Sequence, residues 1–156
     1  ALMSLIVPIT DSSARSALCA EIAAELPLWF GRPEANAWYI REIAAREAFA
    51  GVVEGRPRAL MALEYHFTTT CNIWWLGVSP TVHRRGLGRA LIERAALEAQ
   101  TRNCRYLAVQ TMSPRANSSA YELTRRFYEA VGFVPFVEYE PEPGDYMMWM
   151  LRELRS

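Results

Sequence analysis

The sequence predicts an α/β (α+β) fold: a mixed, mostly antiparallel sheet of about seven strands flanked by about four helices. Three observations carry this. Apolar residues alternate in some stretches and recur at helical spacing in others, giving the order β, αα, βββ, α, β, α, ββ. The three consecutive strands in the first half are joined by short turns, which makes them an antiparallel meander. The strands at residues 71–79 and 105–111 flank a crossover helix, which makes them a parallel pair.

Each element follows in order. Residues 5–9 read as a short strand. Asp11 or Ser12 caps a helix running to about Leu26, with Ala17, Leu18, Ile22 and Ala23 at apolar positions. The segment Leu26-Pro27-Leu28-Trp29-Phe30-Gly31-Arg32-Pro33 breaks that helix, and a second spans residues 34–46. Residues 48–53 form a strand, Glu54-Gly55-Arg56-Pro57 a turn, and residues 58–68 the next strand. In that strand Ala59, Met61, Leu63, Tyr65 and Phe67 share one face, and Glu64 and His66 the other. Residues 71–79 carry apolar side chains on both faces, as a central strand does. A helix then runs to about Arg102, followed by the strand 105–111 and a loop over 112–117. Ser118 or Ser119 caps a helix over 120–131, stopped by Gly132. Strands at 133–140 and 146–154 flank a Pro-Gly turn. Of the tryptophans, Trp38 and Trp74 read as core residues.

Composition bounds the function. The 156 residues fit one domain, expected over 3–156, with 51% hydrophobic and 12% aromatic residues to build its core. The formal net charge is zero, which argues against nucleic acid or anionic membrane as a partner, since both need a basic excess. Cys19, Cys71 and Cys104 are too few and too scattered for a disulfide framework or a metal site, and read as buried thiols of a reducing cytosol. No apolar run approaches the ~20 residues of a membrane span, and no signal peptide is legible. The expected location is cytoplasmic. Met3 reads as the natural start, with Ala1-Leu2 a remnant ahead of it.

The most informative stretch is the strand end and turn before the third helix. Pro80 ends the strand, and His83-Arg84-Arg85-Gly86-Leu87-Gly88-Arg89-Ala90 follows as a basic, glycine-punctuated turn into a helix. Glycine lets the backbone approach a ligand, and the first N–H groups of a helix lack intrahelical partners. This is the chemistry of a pyrophosphate cradle. It is not a P-loop, because the chain contains no lysine, and not a dinucleotide turn, because Leu91 stands where the third small residue belongs. Alone, Gly86 and Gly88 read first as a tight strand–helix turn that is only structural.

The wider context resembles the GNAT superfamily of acetyl-CoA-dependent N-acetyltransferases. Its R/Q-x-x-G-x-G/A motif is similar to His83-Arg84-Arg85-Gly86-Leu87-Gly88. Its tyrosine four residues before a Gly-Phe pair is similar to Tyr128-Glu129-Ala130-Val131-Gly132-Phe133. The two elements are separated by one strand and one helix, as in that family. Leu26-Pro27-Leu28-Trp29-Phe30-Gly31 and Thr124-Arg125-Arg126-Phe127-Tyr128-Glu129 resemble a bacterial GNAT subgroup of unassigned substrate. Two positions depart from the pattern. His83 replaces Arg or Gln, and Tyr121 stands where many members carry asparagine, the nearest asparagine being Asn117.

The resemblance implies acetyl-CoA as cosubstrate and a splayed central parallel pair. The turn from His83 to Ala90 would hold the pyrophosphate, with Arg84, Arg85 and Arg89 supplying charge. Leu76, Gly77 and Val78 would pair with the pantetheine arm, and one strand N–H would polarise the thioester carbonyl. Tyr128 would protonate the leaving thiolate. An amine acceptor must lose a proton before attack, and Glu64 and His66 are the candidate bases. Asn72, where related chains often carry a carboxylate, cannot serve as one. Trp29 and Phe30, in the helix-breaking loop, are the candidate acceptor wall. No metal is implied. The acceptor is a small-molecule or protein amine, and related proteins are often homodimers. Two other readings stay open: a non-catalytic CoA-binding or regulatory module on the same fold, and an interaction domain whose glycine turn is only structural.

Overall fold

The structure is a computed structural model that describes residues 4–155. The expected start at Met3, with Ala1-Leu2, lies outside them. The elements are β1 (Ser4–Pro8), α1 (Ser12–Glu25), α2 (Pro33–Glu42), β2 (Glu47–Val53), β3 (Arg56–His66), β4 (Thr70–Val78), α3 (Leu87–Thr101), β5 (Tyr106–Met112), α4 (Ser119–Ala130), β6 (Val134–Tyr139) and β7 (Met147–Glu153). Single 3-10 turns cover Ile43–Ala45, Pro80–Val82 and Pro114–Ala116.

The strands form one seven-stranded sheet in the order β1-β2-β3-β4-β5-β7-β6. β1 with β2, β2 with β3, β5 with β7 and β6 with β7 are antiparallel, and β4 with β5 is parallel. The expected mixed, mostly antiparallel sheet with one parallel pair is therefore present, with four helices. The parallel register runs from Thr70↔Tyr106 to Ile73↔Val109, and β4 continues beyond it to Val78. The insertion of β7 between β5 and β6 has no signature in residue periodicity.

Local chemistry explains several boundaries. Asp11 is the N-cap of α1, accepting from Ala14 N at 3.1 Å and from Ser13 Oγ at 2.7 Å, and these bonds hold its carboxyl below the usual range. Pro33 opens α2, where its missing N–H is not needed. That helix is shorter than expected: it tightens into a 3-10 turn at Ile43, and Arg46 is already extended. Between β2 and β3, Glu54 and Gly55 have φ of 50° and 78°, as a two-residue primed turn requires. Arg56 and Pro57 consequently belong to the ladder and not to the turn. Phe67, expected on the apolar face of that strand, instead lies in the next turn with φ 54° and is 96% exposed. Trp38, expected in the core, is 42% exposed on α2.

The described residues group into two compact units, 4–64 with 74–94, and 65–73 with 95–155. In the first, Leu18, Cys19, Ile22, Ala23 and Leu26 of α1 pack with Ile43, Ala48, Ala50, Leu60, Ala62 and Trp75. Trp74 packs against the same cluster, so strict alternation does not hold across Trp74-Trp75. The other face of β2 meets α3. A Cβ on Gly51 would lie 3.1 Å from Leu87 Cδ2 and 3.0 Å from Ala59 Cβ, so glycine there seats the first residue of α3 on the sheet. In the second unit, Leu107, Val109, Met148 and Met150 are buried on β5 and β7, with Phe133 at the end of α4.

Candidate active site

The glycine turn begins where β4 ends. His83 Nε2 lies 2.7 Å from Val78 O, so the imidazole is turned back onto the strand end. Arg84 and Gly86 both have positive φ, 64° and 80°, on either side of Arg85. Alternating backbone handedness of this kind turns successive N–H groups inward as an anion-binding nest. Among the described residues, the N–H groups of Arg84, Arg85, Gly86, Leu87 and Gly88 have no hydrogen-bond partner. Ala90 N–H bonds Gly86 O at 3.0 Å, so the expected donor Ala90 is already engaged within the helix. Arg84, Arg85 and Arg89 are exposed around this concavity, while Leu87 is buried beneath it. Five converging free N–H groups at a helix N-terminus suit a pyrophosphate.

Upstream, Leu76 and Val78 of β4 are half-buried and Gly77 is buried. A Cβ on Gly77 would meet Trp75 Cη2 at 2.7 Å and Ile22 Cγ2 at 2.9 Å, so the Trp75 indole lies directly over that residue. Phe30 stacks on Trp75 with centroids 4.9 Å apart and planes 19° apart. The loop carrying Trp29 and Phe30 is pinned: both backbone N–H groups donate to Leu26 O, and Asn36 Nδ2 donates to Phe30 O at 2.8 Å. The structure thus brings Phe30 onto the strand that holds Leu76, Gly77 and Val78. Sequence reasoning missed Trp75, whose signal was its place two residues before a strand glycine.

The two candidate bases have different surroundings. Glu64, on β3, forms an ion pair with Arg46 at 3.1 Å. Arg46 lies 4.5 Å from the Trp74 ring centroid, and Trp74 packs with Trp38 and Tyr39 at 5.6 and 4.9 Å. Burial pushes the Tyr39 phenol above its ordinary range. These three rings pack against one another. His66 ends β3 and is exposed. Arg46 was not foreseen, because its partner lies 18 residues away on another element.

Tyr128 belongs to the second unit. It is buried, at 6% exposure, with Phe127 and Phe133 each 5.4 Å away between ring centroids. The Tyr-x-x-x-Gly-Phe spacing has a local cause. Phe133 N donates to Tyr128 O at 3.0 Å and Gly132 N to Glu129 O at 3.1 Å, the double bond of a Schellman helix end. Gly132 adopts φ 100°, and the Phe133 ring returns onto Tyr128, as the apolar contact of that motif does. Burial, with a smaller contribution from Tyr121, pushes the phenol well above its ordinary value, so it stays a proton donor. Asn117 ends the Pro114–Ala116 turn in the left-handed region, and Ser118 caps α4 by accepting from Tyr121 N at 3.3 Å. Also unforeseen is Arg125, buried on α4 and donating to Met112 O at 2.8 Å. Among the described residues, no cluster of three or more His, Cys, Asp or Glu could hold a metal ion, and no helix is long and apolar enough to cross a membrane.

Comparison with known families matches residues 34–135 to the Acetyltransferase (GNAT) domain. The chain belongs to the GNAT acetyltransferase family. Solved structures share its fold over nearly their whole length. A GNAT-family protein from Desulfovibrio desulfuricans superposes with a TM-score of 0.79 at 18% identity, covering 99% of this chain and 100% of that one. The ribosomal-protein-S18-alanine N-acetyltransferase from Escherichia coli gives 0.73 at 19% identity, covering 99% and 96%. A GNAT family acetyltransferase from Elizabethkingia anophelis with acetyl-CoA bound gives 0.71 at 19% identity, covering 97% and 98%. Among curated proteins, none matches the sequence significantly. GNAT proteins transfer acetyl groups from acetyl-CoA to amine acceptors, and this chain shares that fold and family.

Proposed function

We propose that this GNAT protein acetylates a primary amine by direct attack in a ternary complex with acetyl-CoA, in a cytoplasmic setting where its three buried, free cysteines stay reduced. The observation that carries the reading is the run of free N–H groups from Arg84 to Gly88 at the N-terminus of α3. When bound, acetyl-CoA supplies the acyl group and a thiolate leaving group. The turn from His83 to Arg89 holds its pyrophosphate through backbone donors, with Arg84, Arg85 and Arg89 adding charge. The His83 side chain serves the strand end, not the phosphate, since its Nε2 is engaged with Val78 O. Leu76, Gly77 and Val78, the part of β4 beyond the described parallel register, present backbone groups to the pantetheine arm. One of these N–H groups polarises the thioester carbonyl.

Tyr128 donates its proton to the departing thiolate. A phenol whose pKa is raised by burial is protonated throughout the neutral range, so it carries a proton to give when the thiolate departs. Glu64 or His66 accepts the proton of the incoming ammonium, directly or through water, and Trp29 and Phe30 wall the acceptor. A homodimer is compatible with this arrangement and is not required by it. Calorimetry with acetyl-CoA, followed by thiol release against an amine panel, tests the proposal. Binding with amine-dependent thiol release is expected. Binding without turnover on any amine would favour the non-catalytic CoA-binding module, and no binding at millimolar acetyl-CoA would leave the turn a purely structural one.

A further inference from the structure

The end of α1 is fastened to the end of β4 by a chain of hydroxyl groups. Glu25, the last residue of α1, accepts a hydrogen bond from Ser79 Oγ at 2.7 Å, and Ser79 Oγ lies 2.9 Å from Thr81 Oγ1. A serine hydroxyl carries one proton, and an ionised carboxylate only accepts. Ser79 therefore donates to Glu25 and accepts from Thr81, which fixes the direction of the chain as Thr81 to Ser79 to Glu25. Ser79 is completely buried, and its N–H bonds Arg58 O at 2.8 Å. Five residues beyond Glu25, Phe30 stacks on Trp75. The segment from Glu25 to Phe30 thus grips β4 at two points, Trp75 and Ser79, which bracket Leu76, Gly77 and Val78.

We infer that Glu25 is a positioning residue for acetyl-CoA, acting through Ser79 to set the end of β4 and the entry to the glycine turn; this rests on the function proposed above. The distance from pyrophosphate to pantetheine amides is fixed by covalent bonds. The free N–H groups at Arg84 to Gly88 and the backbone of Leu76 to Val78 must therefore keep a constant offset, and only residues 79–83 join them. Misplacement of such paired sites is felt as lost affinity. Direct contact with the ligand is the wrong role for Glu25, because a carboxylate repels a pyrophosphate. Its contribution is an acceptor atom at a set place. The same grip links the donor strand to the loop of Trp29 and Phe30.

Calorimetry with acetyl-CoA decides between outcomes, with melting temperatures measured in parallel. If the wild-type chain does not bind, the proposed function fails and takes this inference with it. If it binds, Glu25→Ala and Ser79→Ala should each raise Kd measurably, by up to about tenfold, the most that one charge-assisted hydrogen bond can pass on to binding. The double variant should be no weaker than the weaker single, because both remove one bond. Glu25→Gln keeps an accepting oxygen and should bind within about threefold of wild type, within the scatter of such contributions. Wild-type affinity in both alanine variants overturns the inference, as does a loss in Glu25→Gln equal to that in Glu25→Ala, or a fully additive double variant. Should Glu25→Ala fail to fold, Ser79→Ala carries the same test alone.

Discussion

Gly77→Ala is the sharpest perturbation this structure offers. A strand glycine gives up about 0.5–1 kcal/mol relative to alanine, so on propensity alone the substitution stabilises. Packing reverses the sign. The new methyl would lie 2.7 Å and 2.9 Å from Trp75 Cη2 and Cζ3 and 2.9 Å from Ile22 Cγ2. Neither neighbour can withdraw: Trp75 is 4% exposed and stacked by Phe30, and Ile22 is 1% exposed in the core cluster. Overpacking of a closed core costs about 1–3 kcal/mol, and three contacts under 3.0 Å with rigid partners put this site in the upper half of that range. The net is a loss of about 1.5–2 kcal/mol, which for a chain of this length lowers Tm by roughly 3–8 °C. Thermal unfolding followed by circular dichroism measures it directly. Trp75→Phe in the same chain shrinks the ring that causes the clash, so the double variant should melt higher than the sum of the two single losses predicts. A Gly77→Ala protein melting within about 1 °C of wild type, a shift worth under 0.5 kcal/mol, would refute the reasoning.

Other expectations follow from the same geometry. Tyr128→Phe should lower kcat about ten- to a thousandfold at unchanged fold, read as thiol release on an accepted amine; unchanged turnover removes Tyr128 from the mechanism. The phenol's raised pKa also has a stability consequence: its contribution is full below the ordinary value of 10.0 and is lost as pH rises beyond it, because the unfolded chain ionises first. Tyr128→Phe should therefore show a shallower loss of Tm between pH 9.5 and 11, about the range of an unburied phenol. Gly86→Ala has open space for its methyl but φ of 80°, and should weaken acetyl-CoA binding by up to about tenfold as the backbone relaxes, roughly the 1–2 kcal/mol of left-handed strain. Gly55→Ala, with φ 78° and equally open space, carries the same strain in the β2–β3 turn and should leave binding unchanged. Native labelling with a thiol reagent at pH 8 should leave Cys19 unmodified, since it is fully buried and its thiol is pushed up to about 12, whereas denaturant should release all three cysteines.

The fold was legible where local chemistry decides it. Asp11, Ser118 and Gly132 mark helix ends through hydrogen bonds made within a few residues, Pro33 marks one through its fixed φ and missing N–H, and each end lies near its expected place. The Tyr128–Phe133 spacing is legible for the same reason, being one helix terminus. Phe67 misled because alternation was carried past His66, where a left-handed turn residue ends the strand. Trp38 misled because its size suggested burial, while only its packing against Tyr39 and Trp74 determines how much of it is covered. The site divides in the same way. The turn from His83 to Gly88 can be read from consecutive residues. Glu25 with Ser79, Phe30 with Trp75 and Arg46 with Glu64 are separated by 18 to 54 residues and belong to different elements, so no periodicity announces them.

That division explains why the chain reveals its acetyl donor more readily than its acceptor. The cradle at α3 is made of N–H groups, which exist whatever side chains stand there. It needs only positive φ at Arg84 and Gly86 and a seat for Leu87 over Gly51. This is why the cradle tolerates histidine at position 83: the ring bonds Val78 O and leaves the N–H run untouched. The acceptor side has no such backbone code. Under the proposed function, an ammonium approaching Glu64 would compete with Arg46 for the same carboxylate, since the Arg46 guanidinium is already paired with it and lies against Trp74. A singly charged acceptor starts at a disadvantage in that exchange, because the internal cation is already in place and loses little freedom on pairing. Under the proposed function, acceptor choice would therefore turn on shape and apolar contact at the Trp29–Phe30 loop at least as much as on charge, and these are the properties that a single sequence encodes least explicitly.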